Sequence, residues 1–348
     1  MKVIFLSLSK LENSENIVYI KGLKANGVEI AAFASSGRGL KKYKSVLDFY
    51  WKNKKNSDLI MIGFESPELV ILMKVFSRKK IIYNSIVTVY ERLIVSRNLV
   101  KLWSLKGISY WLVDFFAFHF SDLTMLETNH QVDFVSSFYF INKNQLFQTW
   151  AGANDKYFFY EPTVAKLPNF TVIFRGAFMP EAGIEYVVRA AKVLEDRNIK
   201  FIIMGGGVGL EKIKELIDEL KPANLELITD FLPYEKLRET MQRCHLSLGQ
   251  LSDHDRLTRT IPHKAYESLA MKLPYLTAYS AGVLELLTPN KTCLTCDSAN
   301  AKLLAEKILW ISNNYSFAEK IANNGYELFR NKLQSHILAK NLIERIKA

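Results

Sequence analysis

Short apolar runs alternate with segments of helical spacing along most of this chain. In the first half, the apolar runs predict buried strands near Val3–Leu8, Glu29–Ala34, Leu59–Ile62, Lys80–Asn84 and Leu123–Leu126. The alternation restarts near residue 170, where the predicted strands are Phe170–Phe174, Lys200–Met204, Leu225–Ile228, Leu246–Leu248 and Tyr275–Ala278. Helices are predicted near 183–194, up to Leu220, and over Tyr234–Arg243, Ala301–Asn313 and Phe317–Ile346. Strands that alternate with helices are typical of α/β proteins with parallel sheets.

The segment 160–168 separates the two halves, because it contains two prolines and has no periodic pattern. A chain of 348 residues is long enough for about two domains. We therefore predict an N-terminal α/β domain over residues 1–162 and a C-terminal α/β domain over residues 169–331.

Residues 103–120 are unusually aromatic. A segment of this kind fits either a helix that lies in a membrane interface or a helix that is buried under the sheet. Asp114 interrupts the apolar surface and few basic residues accompany it, which favours the buried helix.

The net charge is +11, and its excess of lysine and arginine is concentrated in the first third of the chain. Such a surface favours polyanionic partners, namely an anionic membrane face, a pyrophosphate-linked lipid or nucleic acid. Nucleic acid ranks last, because the sequence contains no helix-turn-helix, zinc-finger or RNA-binding signature. We therefore predict no nucleic-acid partner.

No apolar run approaches the roughly 20 residues that a membrane-spanning helix needs. The apolar run at the N-terminus is too short for a secretory signal. We therefore expect a cytoplasmic protein that can bind peripherally to the inner face of an anionic membrane.

Three cysteines do not form a disulfide framework, although Cys293 and Cys296 have the spacing of a metal or redox motif. There is no second pair of this kind and no nearby pair of histidines, and the two residues lie in an apolar run that predicts a strand. We therefore interpret them as core thiols.

The stretch 248–274 has the most informative chemistry. A helix is predicted to open near Thr260 and Pro262, with Thr260 as its N-cap, which places Lys264 in the first turn. A cation is disfavoured there by the helix dipole, and Arg256, Arg259 and His263 add to the crowding. A bound phosphate or diphosphate would remove the conflict. The alternative is a capped surface helix with solvated charges.

Two further features extend this candidate site. Glu267 follows Lys264 by three residues and shares its helix face, where a carboxylate can accept hydrogen bonds from the hydroxyls of a ribose. The glycine turn after Met204 lies between a predicted strand and a predicted helix, but Leu210 breaks the GxGxxG pattern. We interpret Gly206 and Gly207 as a backbone wall near the same site.

These segments together resemble the family 4 glycosyltransferases of the GT-B architecture, over nearly the whole chain and most closely in its second half. The segments that carry the resemblance are Phe174–Glu185, Ile203–Gly207, Thr260–Pro274, Asp122–His130 and Trp150–Asp155. The resemblance implies an α/β fold with two Rossmann-like parallel-sheet domains that face a cleft. It implies acceptor binding by the first domain, nucleotide-sugar binding by the second, and a last helix, about 332–348, that crosses back onto the first domain. It also implies retaining transfer without a metal ion.

The sequence departs from the family pattern on the donor side. Arg259 stands where the family has the first glutamate of Glu-x7-Glu, and Glu267 stands at the second. Ala177 and Ala182 stand where the family often has a basic pair. The residues that could replace this pair are Arg175, Arg256 and Lys264.

The acceptor side departs as well. Asn84 and Ser85 stand where the family usually has a histidine, and His130 is a candidate substitute. The first loop, 9–16, lacks the family's glycine pair.

The hypothesis from sequence is a hexosyltransferase-type enzyme of polysaccharide biosynthesis in the cell envelope. It would move a sugar from a nucleoside diphosphate donor to a hydroxyl of a glycan or lipid-linked acceptor, with no cofactor besides the donor and no metal. Its predicted donor-site residues are Arg256, Lys264 and Arg175 at the leaving group, Glu267 at the ribose, and Thr260, His263, Arg259, Gly206 and Gly207 around them. Two alternatives remain open, a nucleotide-sugar epimerase on the same fold and a non-catalytic donor-binding subunit of a glycan-assembly complex.

Overall fold

The computed structural model describes residues 1–96, 101 and 104–348. The chain divides into two compact units. The first unit comprises Met1–Asn154 and Lys332–Ala348, and the second comprises Asp155–Asn331. The first unit therefore ends at Asn154 rather than at residue 162, and the proline-containing segment belongs to the second unit.

The first unit is built on a parallel sheet of six strands. Its strands are β1 (Lys2–Ser7), β2 (Glu29–Ala34), β3 (Leu59–Ile62), β4 (Lys80–Ile86), β5 (Leu123–Leu126) and β6 (Leu146–Gln148), in the spatial order β2-β1-β3-β4-β5-β6. The helices that connect them are α1 (Ser14–Ala25), α2 (Leu40–Asn53), α3 (Pro67–Phe76), α4 (Leu105–Phe120) and α5 (Asn129–Phe138). The short strand β6 was not predicted.

Both faces of this sheet are covered, which explains why its strands are continuously apolar. Ile4 and Leu6 of β1 pack with residues of α2 to α5 on one face. Val3 and Phe5 of the same strand pack with residues of α1 on the other face.

The second unit repeats this arrangement with its own core. Its strands are β7 (Phe170–Ala177), β8 (Ile199–Gly206), β9 (Leu225–Ile228), β10 (Leu246–Leu248), β11 (Tyr275–Ala278) and β12 (Leu294–Cys296), all parallel, in the order β12-β11-β10-β7-β8-β9. Its helices are α6 (Ile184–Val193), α7 (Leu210–Leu220), α8 (Tyr234–Arg243), α9 (His263–Ala270), α10 (Ala281–Leu284), α11 (Ala301–Asn313) and α12 (Tyr315–Leu328). The α/β fold with two parallel sheets is therefore confirmed.

The C-terminal segment is two helices rather than the single helix predicted over Phe317–Ile346. A π-helical turn, Phe329–Leu333, separates α12 from α13 (Ser335–Lys347). Leu338 and Leu342 of α13 join the core that β1 forms with α1. A Cβ atom on Gly22 of α1 would lie 2.0 Å from the carbonyl oxygen of Ser335, so the two helices approach closely only because residue 22 is glycine.

Residues 103–120 were predicted to form a buried helix, but only one side of α4 is buried. Residue 103 lies outside the described part of the chain. Asp114 and Phe118 on one side are buried, while Leu105 and Phe116 on the other are exposed. Among the described residues, no helix combines the length and the apolar character needed to cross a bilayer.

The three cysteines are free, and Cys244 and Cys293 are buried. Burial raises the pKa of the Cys293 thiol to about 12. Because the thiolate is the reactive form, these residues behave as the core thiols expected from the sequence.

Candidate anion-binding site

Two glycine-rich strand ends meet at the carboxyl edge of the second sheet. β7 and β8 run in register to Ala177 and Gly206. A Cβ atom on Gly205 would lie 2.0 Å from the carbonyl oxygen of Gly176, so the two strand ends touch through backbone atoms alone. A Cβ atom on Gly206 would meet nothing within 4 Å, which leaves this backbone open to a ligand.

Lys264 of α9 extends to this edge. Its Nζ atom would lie 3.2 Å from a Cβ atom on Gly176, and it lies 3.3 Å from Gln250 Oε1 and 3.7 Å from the ring centroid of Phe174. The side chain is buried, with 6% of the residue exposed. Burial, together with the charge of Arg175 nearby, lowers the pKa of Lys264 to about 7.

Arg175 and Glu267 form a partly buried ion pair beside this lysine. The Nη1 atom of Arg175 donates a hydrogen bond to Oε2 of Glu267. Only 4% of the Glu267 side chain is exposed, and Arg175 lies 5.6 Å from the ring centroid of Phe158. The pair places the predicted ribose-binding carboxylate one helical turn from Lys264, on the same helix.

The other two arginines of the candidate site also have carboxylate partners. Arg256 Nη1 lies 2.6 Å from Glu181 Oε1, and Arg259 Nη2 lies 2.7 Å from Asp255 Oδ2. Both arginines therefore have carboxylate partners within the chain, and a bound anion is not required to neutralise them.

Lys264 differs from the arginines. Within the described part of the chain, no carboxylate lies within 4.0 Å of its Nζ atom. Unlike the three arginines, Lys264 can therefore bind an external anion without first losing a carboxylate partner.

The prediction that Thr260 caps the helix is wrong. α9 begins at His263, and Pro262 occupies the N-cap position without a side-chain cap. Thr260 instead lies in the preceding loop, where a Cβ atom on Gly282 would be 2.7 Å from its backbone nitrogen. His263 is the first helical residue, with its ring centroid 6.1 Å from that of Tyr266.

The predicted acceptor-side residues lie at or after the carboxyl ends of strands of the first sheet, within the first unit. Asn84 and Ser85 are buried near the end of β4, and His130 is exposed in the first turn of α5, after β5. Asn84 Nδ2 donates to the backbone oxygen of Glu15 at 2.7 Å. Its buried Oδ1 atom has no hydrogen-bond partner among the described residues. The next residue but one, Ile86, has a φ of +54°, which is rare for a β-branched side chain.

Sequence reasoning did not find three residues around Lys264. Phe174 lies under its ammonium group, Gln250 accepts its hydrogen bond, and Glu181 neutralises Arg256. A polar Gln250, two residues after the end of the apolar strand β10, was the one available signal. No local pattern connects Glu181 with a residue 75 positions away.

In the described ranges, no group of three or more histidine, cysteine, aspartate or glutamate side chains could hold a metal ion. The metal independence that the resemblance implies remains a prediction.

Residues 159–328 match the family described as Glycosyl transferases group 1. The chain is similar to an uncharacterized glycosyltransferase of Methanocaldococcus jannaschii, with 24% identity over 186 residues, which are 53% of this chain and 49% of that protein. It is also similar to the capsular polysaccharide biosynthesis glycosyltransferase CapM of Staphylococcus aureus, with 23% identity over 184 residues, 50% of this chain and 45% of that protein. The chain thus spans about half the length of these curated relatives.

Among solved structures, the fold is similar to HepE of Anabaena, whose crystal contains UDP and glucose. The TM-score is 0.73, the identity is 15%, and the likeness covers 100% of this chain and 99% of that one. At this identity, the likeness concerns the fold. The family model thus matches the second half of the chain, and the fold of the whole chain is similar to that of HepE.

Proposed function

We propose that this protein transfers a sugar from a nucleoside diphosphate donor to a hydroxyl of a glycan or lipid-linked acceptor, as a step in polysaccharide biosynthesis. The observation that carries the proposal is Lys264, a buried cation without a carboxylate partner in the described chain, which lies beside a glycine-bounded strand end. A diphosphate is the ligand that this arrangement suits best, because it offers several anionic oxygens to one cation and to backbone N–H groups. The UDP in the HepE crystal supports the proposal that this diphosphate is part of a nucleotide.

The barrier to transfer lies in breaking the bond between the anomeric carbon and the diphosphate. Negative charge grows on the leaving oxygen as this bond breaks, and a cation that is already in position stabilises the transition state more than the ground state. Lys264 has this role in our proposal. Arg175 and Arg256 are held by their carboxylate partners, and in our proposal their remaining N–H groups donate hydrogen bonds to the diphosphate.

Glu267 holds the ribose in this proposal. A carboxylate has about four acceptor positions, so Glu267 can keep its hydrogen bond from Arg175 and still accept one from a ribose hydroxyl. His263, Thr260 and Arg259 belong to the loop and the first turn that precede it.

We further propose that transfer is hexosyl transfer with retention of the anomeric configuration and needs no metal ion. Proton NMR of the product's anomeric coupling tests retention. Activity in the presence of EDTA tests the metal requirement.

The test of the proposed function uses UDP-glucose as the probe, with a lipid and glycan extract of the source organism as acceptor. Lys264→Met is expected to lower sugar transfer by a factor on the order of 10²–10³, since removal of one such stabilising group has this effect. Lys320→Met is the matched control, because Lys320 is an exposed lysine of α12, and it is expected to transfer at the normal rate. Circular dichroism verifies that both variants are folded.

The same assay separates this proposal from its alternatives. An isomerised nucleotide sugar that forms without any acceptor would identify an epimerase. Tight binding of UDP-glucose without release of UDP, across all acceptors, would identify a non-catalytic donor-binding subunit. Unchanged transfer by Lys264→Met would remove Lys264 from the mechanism.

A further inference from the structure

An apolar stripe on α4 is exposed. Its residues are Leu105, Ile108, Leu112 and Phe116, with 89%, 44%, 39% and 41% of each residue exposed. They recur every three or four positions, so they lie on one side of the helix. Four large apolar side chains in a row are unusual for a solvated helix, whose exposed side is normally polar.

The core does not need this stripe. The opposite side of α4, which includes Ala117 and Phe118, is the side that packs against the sheet. The charged groups of α4 do not offset the stripe either, because Asp114 is buried and Lys106 lies at the N-terminal end.

The neighbouring helices extend this surface with apolar and basic residues. α3 packs beside α4, and its last turn exposes Val75 and Phe76 next to Lys74. Tyr50 of α2 donates a hydrogen bond to Ser77, which follows α3. The exposed residues of α2 are Leu40, Lys41, Lys44, Asp48, Trp51 and Lys52. This surface, called here the α2–α4 face, therefore combines apolar side chains with an excess of lysine.

We propose that the α2–α4 face docks on an anionic lipid bilayer, with the α4 stripe at the boundary between head groups and acyl chains and the lysines on anionic head groups. The combination of charge and apolar residues decides this choice. A basic surface with exposed aliphatic and aromatic side chains is what an interfacial helix presents to anionic lipid. A second copy of the chain would instead place the same lysines against each other, which costs free energy.

This inference stands on a surface of the first unit and does not depend on the proposed function. If transfer to a lipid-linked acceptor also occurs, the docked protein would work on acceptors in the same leaflet.

The experiment is flotation of the intact protein with phosphatidylcholine vesicles that contain or lack phosphatidylglycerol, at increasing salt. The protein is expected to float with the phosphatidylglycerol vesicles and to lose this binding as salt screens the lysines. The variant Leu105→Gln, Ile108→Gln is expected to bind roughly tenfold more weakly, because two apolar side chains no longer leave water. Its matched control is Val193→Gln, Phe231→Gln, which replaces two exposed apolar residues of the second unit and is expected to bind normally.

A charge variant and a fluorescent label separate the two parts of the proposal. Lys44→Gln, Lys52→Gln is expected to weaken binding by roughly fivefold for each lysine. A fluorophore on Ile108→Cys that is sensitive to polarity is expected to shift to the blue on phosphatidylglycerol vesicles. The proposal is overturned if the wild-type protein does not float, if both variants bind like the wild type, or if the label shows no shift. It is also overturned if the stripe variant abolishes a dimer of the wild-type protein instead.

Discussion

The protonation state of Lys264 should depend on whether a diphosphate is bound. In the free protein its pKa is about 7, because burial and the charge of Arg175 disfavour the protonated form. A diphosphate beside Nζ would favour that form and raise the pKa. Binding of a diphosphate should therefore be coupled to proton uptake.

The affinity for UDP-glucose is expected to fall as the pH rises from about 7 toward the higher pKa of the complex. The sign follows from linkage, because in this range the complex binds more protons than the free protein. The slope is at most tenfold per pH unit. Titration calorimetry in buffers of different ionisation enthalpy measures both the affinity and the proton uptake, and UDP-glucose is chosen because its diphosphate does not itself titrate near pH 7.

Lys264→Met is the control for this coupling and is expected to show weak binding that is independent of pH. An affinity of the wild-type protein that stays constant from pH 7 to pH 9 would contradict the coupling.

The buried lysine also predicts the direction of a stability change. The unfolded chain binds a proton at this lysine up to about pH 10.5, whereas the folded chain releases it near pH 7. The free energy of unfolding should thus rise with pH between these values as far as Lys264 contributes. Lys264→Met is expected to be more stable than the wild type by about 1–3 kcal/mol below pH 7. The gain should shrink toward pH 10, as measured by thermal melting at several pH values. A gain that is equal at pH 6 and pH 10 would argue against a buried ammonium group.

Part of the candidate site was accessible to sequence reasoning. The first-turn position of Lys264 conflicts with the helix dipole, and this conflict is readable from local spacing. The pair of Arg175 with Glu267 was not readable, because the two residues are 92 positions apart and only the sheet brings them together. The helix start at His263 instead of Thr260 was missed because proline and threonine are both acceptable near a helix start.

At the scale of elements, the glycine turn between β8 and α7 determines how closely two strand ends approach. Gly205 has a φ of +141° and touches the backbone of Gly176, while Gly206 faces open space. Two adjacent glycines therefore have different physical reasons to be glycine.

Gly205→Ala is expected to lower the free energy of unfolding by more than about 1 kcal/mol, because its φ is strained and its Cβ atom collides with a carbonyl oxygen. Gly206→Ala is the matched comparison. It is expected to keep normal stability but to bind UDP more weakly if the diphosphate lies against this backbone. Chemical denaturation and calorimetry measure the two effects, and equal loss of stability in both variants would contradict the distinction.

The strands were predictable to within a few residues because buried parallel strands are uninterrupted apolar runs between polar loops. Glu29–Ala34 and Leu59–Ile62 were predicted with the bounds that the structure has. β6 has three residues and no such run, so its pairing with β5 depends on tertiary structure. The periodic pattern alone did not show the break between α12 and α13, although the resemblance implied a separate last helix at about 332–348.

At the scale of the whole molecule, the first unit is assembled from two separated parts of the chain. The face of its sheet that carries Val3 and Phe5 is completed by Leu338, Ala339 and Leu342 of α13. The second unit, by contrast, uses one continuous segment, Asp155–Asn331.

Removal of α13 by a stop codon at Ser335 is expected to destabilise the first unit severely, because it exposes the apolar surface of α1 and β1 to water. Rapid proteolysis of residues 1–154, compared with the full-length chain, is the expected result. Lys340→Gln serves as the control, since Lys340 is an exposed residue of α13. Equal protease resistance of the truncated and full-length proteins would show that α13 is dispensable.

The split composition of the first unit also has a consequence for biosynthesis. The ribosome delivers residues 1–154 first, yet the layer that seals one side of their sheet arrives only with the last helix. The contiguous second unit can close its hydrophobic interior earlier, while the first must wait, partly uncovered, until synthesis has reached Ser335–Lys347. The half of the protein that is made first is thus the half that finishes folding last.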